Sequence, residues 1–394
     1  MQLMNEFIEI IKYSKDDPNE YGINLDLIQK NYSEDKHSDH GRIALISNYV
    51  KISEQLFPSI YKSINHALKL LKIDDKSKFN FYITASSESN AFCRVSPSTN
   101  NVDIAINSRL VELLNIEELS SVIGHEIAHY LYKHYLYPDP AKSINETGYI
   151  NRLYLSKAAE ISADRIGLLA CGNLKFALQS LFKNITGLPD KFINFDYDYF
   201  LNQLDDLKEF KNNFSSLYST HPSILNRVQA LIWFSDSYEY QKHIKNNNDY
   251  KKFKLKEVDH KIDKSLRDVL GNEFNIQNKE IFESLKLWVT ISFFLIDKNF
   301  SKKEQIIFEK NFGKEKLKDI KFFLNSANIN IVETKIKESL IQASELSKSD
   351  KEKLIFELEN IAGLVDAEER KLIEQLSKIS SGLGLKSSVT IRKE

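Results

Sequence analysis

His125-Glu126-Ile127-Ala128-His129, followed by Glu160-Ile161-Ser162-Ala163-Asp164, is the stretch on which the reading of this chain turns. On a helix, residues i and i+4 lie about 6 Å apart along the axis and about 40° apart around it. His125 and His129 can therefore aim both imidazoles at one Zn²⁺ from the same face. Glu126 falls about 100° around from His125, beside such an ion rather than on it. A general base for a metal-activated water belongs there. The bare pentapeptide also fits a surface helix that carries two histidines by chance. Its context argues against that. Residues 110–119 are amphipathic and lead into Ser121-Val122-Ile123-Gly124, so the motif opens a partly buried helix. Two histidines and a glutamate are costly to bury without a partner, and a metal supplies one. Gly124 lowers helix propensity, which a close packing contact beside the site would explain.

Catalytic zinc takes three protein ligands and keeps one position open. Glu160 stands 31 residues after His129 (160 − 129) and is the third candidate. Residues 149–169 read as a second helix, with Ile150, Leu153, Ala158, Ile161, Ile166 and Leu169 near helical spacing. Asp164 is at i+4 from Glu160, on the same face. From there it can accept a hydrogen bond from the non-ligating nitrogen of His125 or His129, fixing the tautomer and raising ligand basicity. An ordinary solvated helix face is the alternative for this pair.

Ahead of the site, residues 79–85 and 102–107 read as strands, with turn residues from Pro97 to Asn101 between them. Residues 90–95 make a further short strand near the cleft. An exposed sheet edge beside a metal site can take an extended peptide by strand addition. A plain structural hairpin would fit the same residues.

These motifs together resemble the gluzincin metallopeptidases of the HtpX / CAAX prenyl protease / BepA family, the forty-eighth metallopeptidase family. Ser89-Asn90-Ala91-Phe92 resembles that family's strand before the site, and Gly124 to His129 its ligand helix, with His134 matching a frequent later histidine. Glu160 to Gly167 resembles its Glu-x-x-Ala-Asp helix, and Thr220-His221-Pro222 with Arg227 its late His-Pro loop. The likeness runs from about Ile52 to Trp233. It implies zinc held by His125, His129 and Glu160, Glu126 as general base and acid, and Asp164 behind the ligands. It also implies His221 and Arg227 near the metal, the first stabilising an oxyanion and the second pairing with site carboxylates. It makes Asn90, Ala91 and Phe92 the substrate strand. His221 reads equally well as a residue at a helix start ahead of Pro222.

Composition sets the bounds. The chain has 394 residues, 42% hydrophobic and 28% charged, with a formal net charge of −1. That suits a soluble globular protein of two or three domains and gives no sign of nucleic-acid binding. Two cysteines, Cys93 and Cys171, cannot build a disulfide framework and fit a reducing, cytoplasmic setting. The start of the chain carries acids and no basic region, so it does not read as a secretory signal. The longest apolar run, residues 287–296, is too short to span a bilayer. In this the chain departs from HtpX and the prenyl protease, which are integral membrane proteins, and from BepA, which is exported.

The organisation expected is a helical extension over 1–45, a peptidase domain over 46–236 and a Lys/Asn-rich connector over 237–265. A helical domain over 266–384 and a tail over 385–394 follow. In the extension, His37 and His40 read as solvated. Residues 295–304 and 360–369 match at an offset of 65 (360 − 295), each an apolar helix end followed by Ser301 or Asp366 and then Glu304 or Glu369, in capping-box spacing. These turns resemble the TerB-like helical domain; any bundle with two well-capped hairpins would match as well. The fold class expected is thus α+β, mostly α: a zincin-like domain with a small sheet beside the ligand helices, then an all-α domain for regulation or protein docking. The function expected is zinc-dependent endopeptidase action on protein or peptide substrates. The alternative is a catalytically silent zinc-binding scaffold or stress-response interaction protein. Glu126 argues for the first, because a base is not needed to hold a metal.

Overall fold

Val102–Asn107 forms a strand that is buried at every position, because both of its faces are covered. It is β4 of a four-stranded sheet with β1 (Val50–Lys51), β2 (Phe79–Thr84) and β3 (Ala91–Val95), in the order β1-β2-β4-β3. β2 runs parallel to β4, from Phe79 opposite Val102 to Thr84 opposite Asn107, and β1 lies antiparallel on β2. β3 is antiparallel to β4 and forms the far edge, with Cys93 opposite Ile104. A central strand covered on both sides loses the in–out alternation of a half-exposed one. Asp103, on β4, is buried and accepts a hydrogen bond from Asn80 Nδ2 at 2.9 Å, with Arg42 Nε at 3.5 Å.

The computed structural model describes residues 2–21, 23–34, 40–143, 146–209, 221–245, 247, 253–270, 273–296, 300–318, 320, 329–344, 346, 348–385 and 389–391. His37 and Thr220 lie outside the described residues. Contacts divide the chain into two units. The first is Met1–Asp17, Asn24–Pro138 and Leu153–Gly271; the second is Pro18–Ile23, Asp139–Arg152 and Asn272–Glu394.

The helices that serve the first unit are α1 (Gln2–Ile10), α2 (Leu25–Glu34), α3 (His40–Asn48), α4 (Pro58–Leu70), α5 (Ser108–Leu113) and α6 (Ile116–Leu131). They continue with α7 (Glu146–Cys171), α8 (Leu174–Thr186), α9 (Tyr197–Leu201), α10 (Gln203–Glu209), α11 (Ile224–Ser235), α12 (Tyr238–Lys245) and α13 (Leu255–Leu270). Leu45 of α3 packs with Tyr82 and Ala105 on one face of the sheet, while Ile104 and Ile106 join α4 and α6 in the main core on the other. Residues 46–71, where the sequence pattern reads as one helix, instead contain the end of α3, then β1, then α4. Val50 and Lys51 pair with the edge of β2, and Pro58 restarts the helix at its first position, where its missing N–H costs nothing. Phe7, Ile8 and Ile11 belong to the main core, and Tyr132 at the end of α6 donates its hydroxyl to the Ile8 carbonyl at 2.6 Å. Much of the lysine-rich stretch after Ser237 is helical, because Tyr240, Leu255, Val258 and Ile262 are buried at helical intervals beneath a charged face.

The start of α6 is held twice. Asn115 and Glu118 form a reciprocal capping box, and the same Glu118 carboxylate takes the buried Lys183 Nζ of α8 at 2.7 Å. α6 then crosses α7 at very short range. A Cβ built on Gly124 would lie 2.2 Å from the Ala170 Cβ and 3.1 Å from the Ile166 carbonyl oxygen. One on Gly167 would lie 2.8 Å from the Ser121 carbonyl oxygen. Gly124 is thus the close-contact residue that its position in the motif called for.

The second unit is helical, with a core built from α14 (Glu273–Phe294), α15 (Lys302–Phe312), α16 (Ile329–Ala343), α17 (Lys348–Leu364) and α18 (Glu369–Gly382). Ser301 forms the expected capping box with Glu304. The second copy does not: α18 starts at Glu369 behind Glu368 with no side-chain cap, and Asp366 instead takes Lys303 Nζ at 2.6 Å. The architecture is mostly α with one small sheet, as the sequence pattern required. No helix among the described residues is long and apolar enough to cross a membrane.

The α6–α7 crossing yields a direct test. Gly124→Ala places a methyl inside the Ala170 contact, and overpacking of this kind costs about 1–3 kcal/mol. Urea denaturation of the variant should show a lowered midpoint; an unchanged midpoint would mean that the helices are not held at this distance.

Candidate metal centre

Because α6 and α7 meet at glycine, residues within about two turns of the crossing are brought within reach of one another. His125 Nε2 and His129 Nε2 lie 3.2 Å apart, and Glu160 offers Oε2 at 3.4 Å from the first and Oε1 at 3.6 Å from the second. One ligand-type atom from each of the three residues falls within 4.8 Å of the others. Nitrogen, nitrogen and carboxylate oxygen make a donor set suited to zinc, so the residues present fit such an ion. Glu126 is buried on the same helix, beside the cluster.

The two imidazoles are steered from behind. His125 Nδ1 is 3.0 Å from Asp164 Oδ1, the contact proposed from the i+4 spacing of Glu160 and Asp164. His129 turns elsewhere: its Nδ1 is 2.9 Å from His134 Nδ1, and His134 Nε2 is 2.9 Å from Asp16 Oδ2. Tyr137 donates its hydroxyl to the other Asp16 oxygen at 2.6 Å. Asp16 carries no local signal in the sequence. It stands 109 residues before the first histidine of the motif (125 − 16), in a stretch of ordinary composition. His134 was singled out only through the family likeness.

Arg227 of α11 grips Asp164 with two hydrogen bonds, Nε to Oδ2 at 2.8 Å and Nη2 to Oδ1 at 2.6 Å, and its Nη1 is 3.7 Å from Glu160 Oε2. This fork geometry is the strong form of the Arg–carboxylate pair. His221 Nε2 lies 3.6 Å from Glu160 Oε1, with a side chain 60% exposed. α11 is capped by Ser223, whose hydroxyl accepts from the Asn226 amide, so Pro222 stands outside the first turn. His221 therefore both precedes a helix and faces the ligand cluster.

Charge in this enclosed space sets the protonation pattern. Burial works against a charged His125 ring, but Glu160 and Asp164 outweigh it and raise its pKa to about 10. Burial, with the His125 charge, leaves His129 neutral, with a pKa near 3 despite the pull of Glu160. Burial alone would raise Glu160 and Asp164; His125 and Arg227 prevail and hold both carboxyls below the usual range. Glu126 differs. Burial and the Glu160 charge push it up to about 7 against the opposing pull of His125, Arg227 and the Cys93 amide. A carboxyl that exchanges its proton near neutrality is suited to general acid–base work.

The cleft in front of the cluster has a volume of about 580 Å³ and is walled by β3, α8 and the start of α11. On β3, Asn107 donates to the Asn90 carbonyl and Ser96 to the Asn101 carbonyl. By alternation, residues 91, 93 and 95 therefore turn their backbone groups away from β4. The Ala91 amide is held by the Asn90 side chain at 2.9 Å, the Val95 carbonyl accepts from the Tyr32 hydroxyl, and Phe92 is partly exposed against Tyr49. Asn90, Ala91 and Phe92 thus line the cleft as the sequence suggested, joined by Cys93. The α8 wall (Leu181, Asn184, Ile185) was not foreseen, since its residues form an ordinary amphipathic pattern.

The family model for peptidase family M48 matches residues 54–147 and 141–232 of the chain. The chain is also similar to the plastoglobule-localized metallopeptidase 48, chloroplastic, of Arabidopsis thaliana, with 24% identity over 225 residues. That alignment covers 52% of this chain and 64% of the relative, so the chain spans just under two thirds of that protein's length. No solved structure matches significantly.

Arg227→Met removes the cation that neutralises Asp164 and Glu160. Breaking a buried ion pair from one side costs about 3–5 kcal/mol, and denaturant unfolding of metal-free protein should register that loss. A change under about 1 kcal/mol would mean that the pair is solvated rather than enclosed.

Proposed function

Because the chain belongs to peptidase family M48, we propose that it is a zinc-dependent metalloendopeptidase whose ion is held by His125, His129 and Glu160. The observation that carries this reading is the convergence of those three donors beside a buried Glu126, at the base of a cleft edged by β3. A zinc ion held there would polarise the scissile carbonyl and acidify a water molecule. Glu126 takes the proton from the attacking water and returns it to the leaving amine nitrogen. Its raised proton affinity suits both halves of that exchange. His221, on its loop, donates toward the oxyanion that develops on the carbonyl oxygen. Asp164 fixes His125 with the ring proton on Nδ1, and Arg227 keeps Asp164 ionised.

The substrate, a protein or peptide, lies extended along β3, where the outward carbonyls of Ala91 and Cys93, whose amides are taken by Asn90 and Glu126, accept from its main chain rather than its side chains. The Cys93 amide, which favours the ionised Glu126, ties this edge to the base. We read the helical residues from 273 onward as a regulatory or protein-docking module. They hold no cluster of metal-binding side chains among the described residues. Cys93 and Cys171 are both free thiols, and this supports a reducing, cytoplasmic setting.

Glu126→Gln should bind zinc as the unaltered chain does and lose cleavage of an unfolded protein by 10²-fold or more, on the order of what a positioned proton carrier contributes. Activity within a few-fold of the original would remove Glu126 from the role of base. Glu160→Ala should lower the zinc-to-protein ratio measured by atomic emission; an unaltered ratio would place the third ligand elsewhere. A chain ending at Gly271 should cleave at a different rate or with a different substrate range. If it matches the full chain in both, the helical module is not a regulator.

A further inference from the structure

We propose that Asp16, in the N-terminal segment, is a positioning residue for the metal ligand His129 and acts through His134. The inference deepens the metallopeptidase reading and rests on it for the identity of the ion.

The argument is one of donors and acceptors. Asp16 is 1% exposed and, when ionised, only accepts. Its Oδ2 is 2.9 Å from His134 Nε2, so that nitrogen carries the proton. Its Oδ1 is occupied by the Tyr137 hydroxyl, which fixes the carboxylate plane. A His134 that carries its single proton on Nε2 has a bare Nδ1. That bare nitrogen faces His129 Nδ1 at 2.9 Å, and a hydrogen bond between them requires the His129 proton to sit on Nδ1. His129 Nε2 is then left with its lone pair toward His125 and Glu160. His125 is backed directly by Asp164, which holds a proton on its Nδ1. Each histidine ligand is thus backed by a carboxylate, one at first hand and the other through an intervening imidazole.

The opposite arrangement has a definite consequence. A His134 with its proton on Nδ1 would drive the His129 proton to Nε2, on the atom that must bind metal. The Asp16 side chain is what selects between the two. It lies outside the family-matched residues 54–232, so this chain completes its metal site with a residue the family match does not reach. His134 is 8% exposed and lies in tilted ring contact with Tyr132 and Tyr137, which enclose it.

Two measurements on the full-length chain test this. The first is the ¹⁵N spectrum of histidine-labelled wild-type protein. It should show His134 as the Nε2–H tautomer and His129 as the Nδ1–H tautomer; His134 protonated on Nδ1 overturns the proposal, whether or not any variant folds. The second is the zinc Kd by competition with a chromophoric chelator. His134→Gln and Asp16→Ala should each weaken zinc by about 10–100-fold. Asp16→Asn, which keeps an acceptor, should recover part of that loss. A purely structural Asp16 would lower thermal stability and leave the Kd of the folded variants at the wild-type value, and that result overturns the relay. A wild-type chain that binds no zinc yet shows the stated tautomers would overturn the metallopeptidase reading and leave the relay standing.

Discussion

The approach of α6 to α7 at Gly124 and Gly167 is the constraint from which the rest of the centre follows. Two helices at ordinary separation stand 8–10 Å apart with side chains between them. Here the contact is backbone against backbone, with the Ala170 methyl filling the space a Gly124 side chain would need. Only at that separation can short side chains from both helices meet at common points. Histidine, glutamate and aspartate within about two turns of the glycines then converge. The capping box of Asn115 and Glu118 and the buried Lys183 fix the axial position of α6, so its histidines meet Glu160 in register.

Convergence of this kind gathers charge in a place with little water. Glu126, Glu160 and Asp164 are all buried, and each needs compensation. The compensation is unequal. Asp164 has Arg227 in a two-point grip and His125 at its other side. Glu160 shares His125, His129 and a more distant Arg227. Glu126 has the Cys93 amide and, among the described residues, no cation hydrogen-bonded to it, so it is the carboxyl whose proton is easiest to keep. Three carboxyls within one cluster are thereby set to different proton affinities by their partners, and acid–base sites of this sort are built on such differences.

The legible part of the protein was its chemistry-bearing periodicity. The i+4 pair of histidines, Glu126 beside it and the i+4 pair Glu160/Asp164 are local regularities of one helix each, and the helices form where the apolar spacing placed them. The strands at 79–84, 91–95 and 102–107 were visible for the same reason. What the sequence concealed was of two kinds. Some was local structure under a misleading composition: the two-residue strand at Val50, hidden in a helical pattern, and the helices of the lysine-rich stretch after Ser237, whose apolar stripe is sparse. The absent cap at Asp366 belongs with these, because an exposed lysine competes successfully for its carboxylate. The other kind was non-local. Asp16 meets His134 and Tyr32 meets Val95 only because α1 and α2 fold back on the unit, and no spacing along the chain reports such meetings.

By itself, then, the amino-acid order determined which side chains share a helical face, where the short strands run and where a glycine interrupts a helix. Each of these is a periodic property of a few adjacent residues. Tertiary structure alone decided which carboxylate stands behind which histidine, how far Glu126 is withdrawn from water and which edge of the sheet borders the cleft. Those outcomes depend on distances between segments far apart in the chain, and a distance of that kind is set by packing rather than by period.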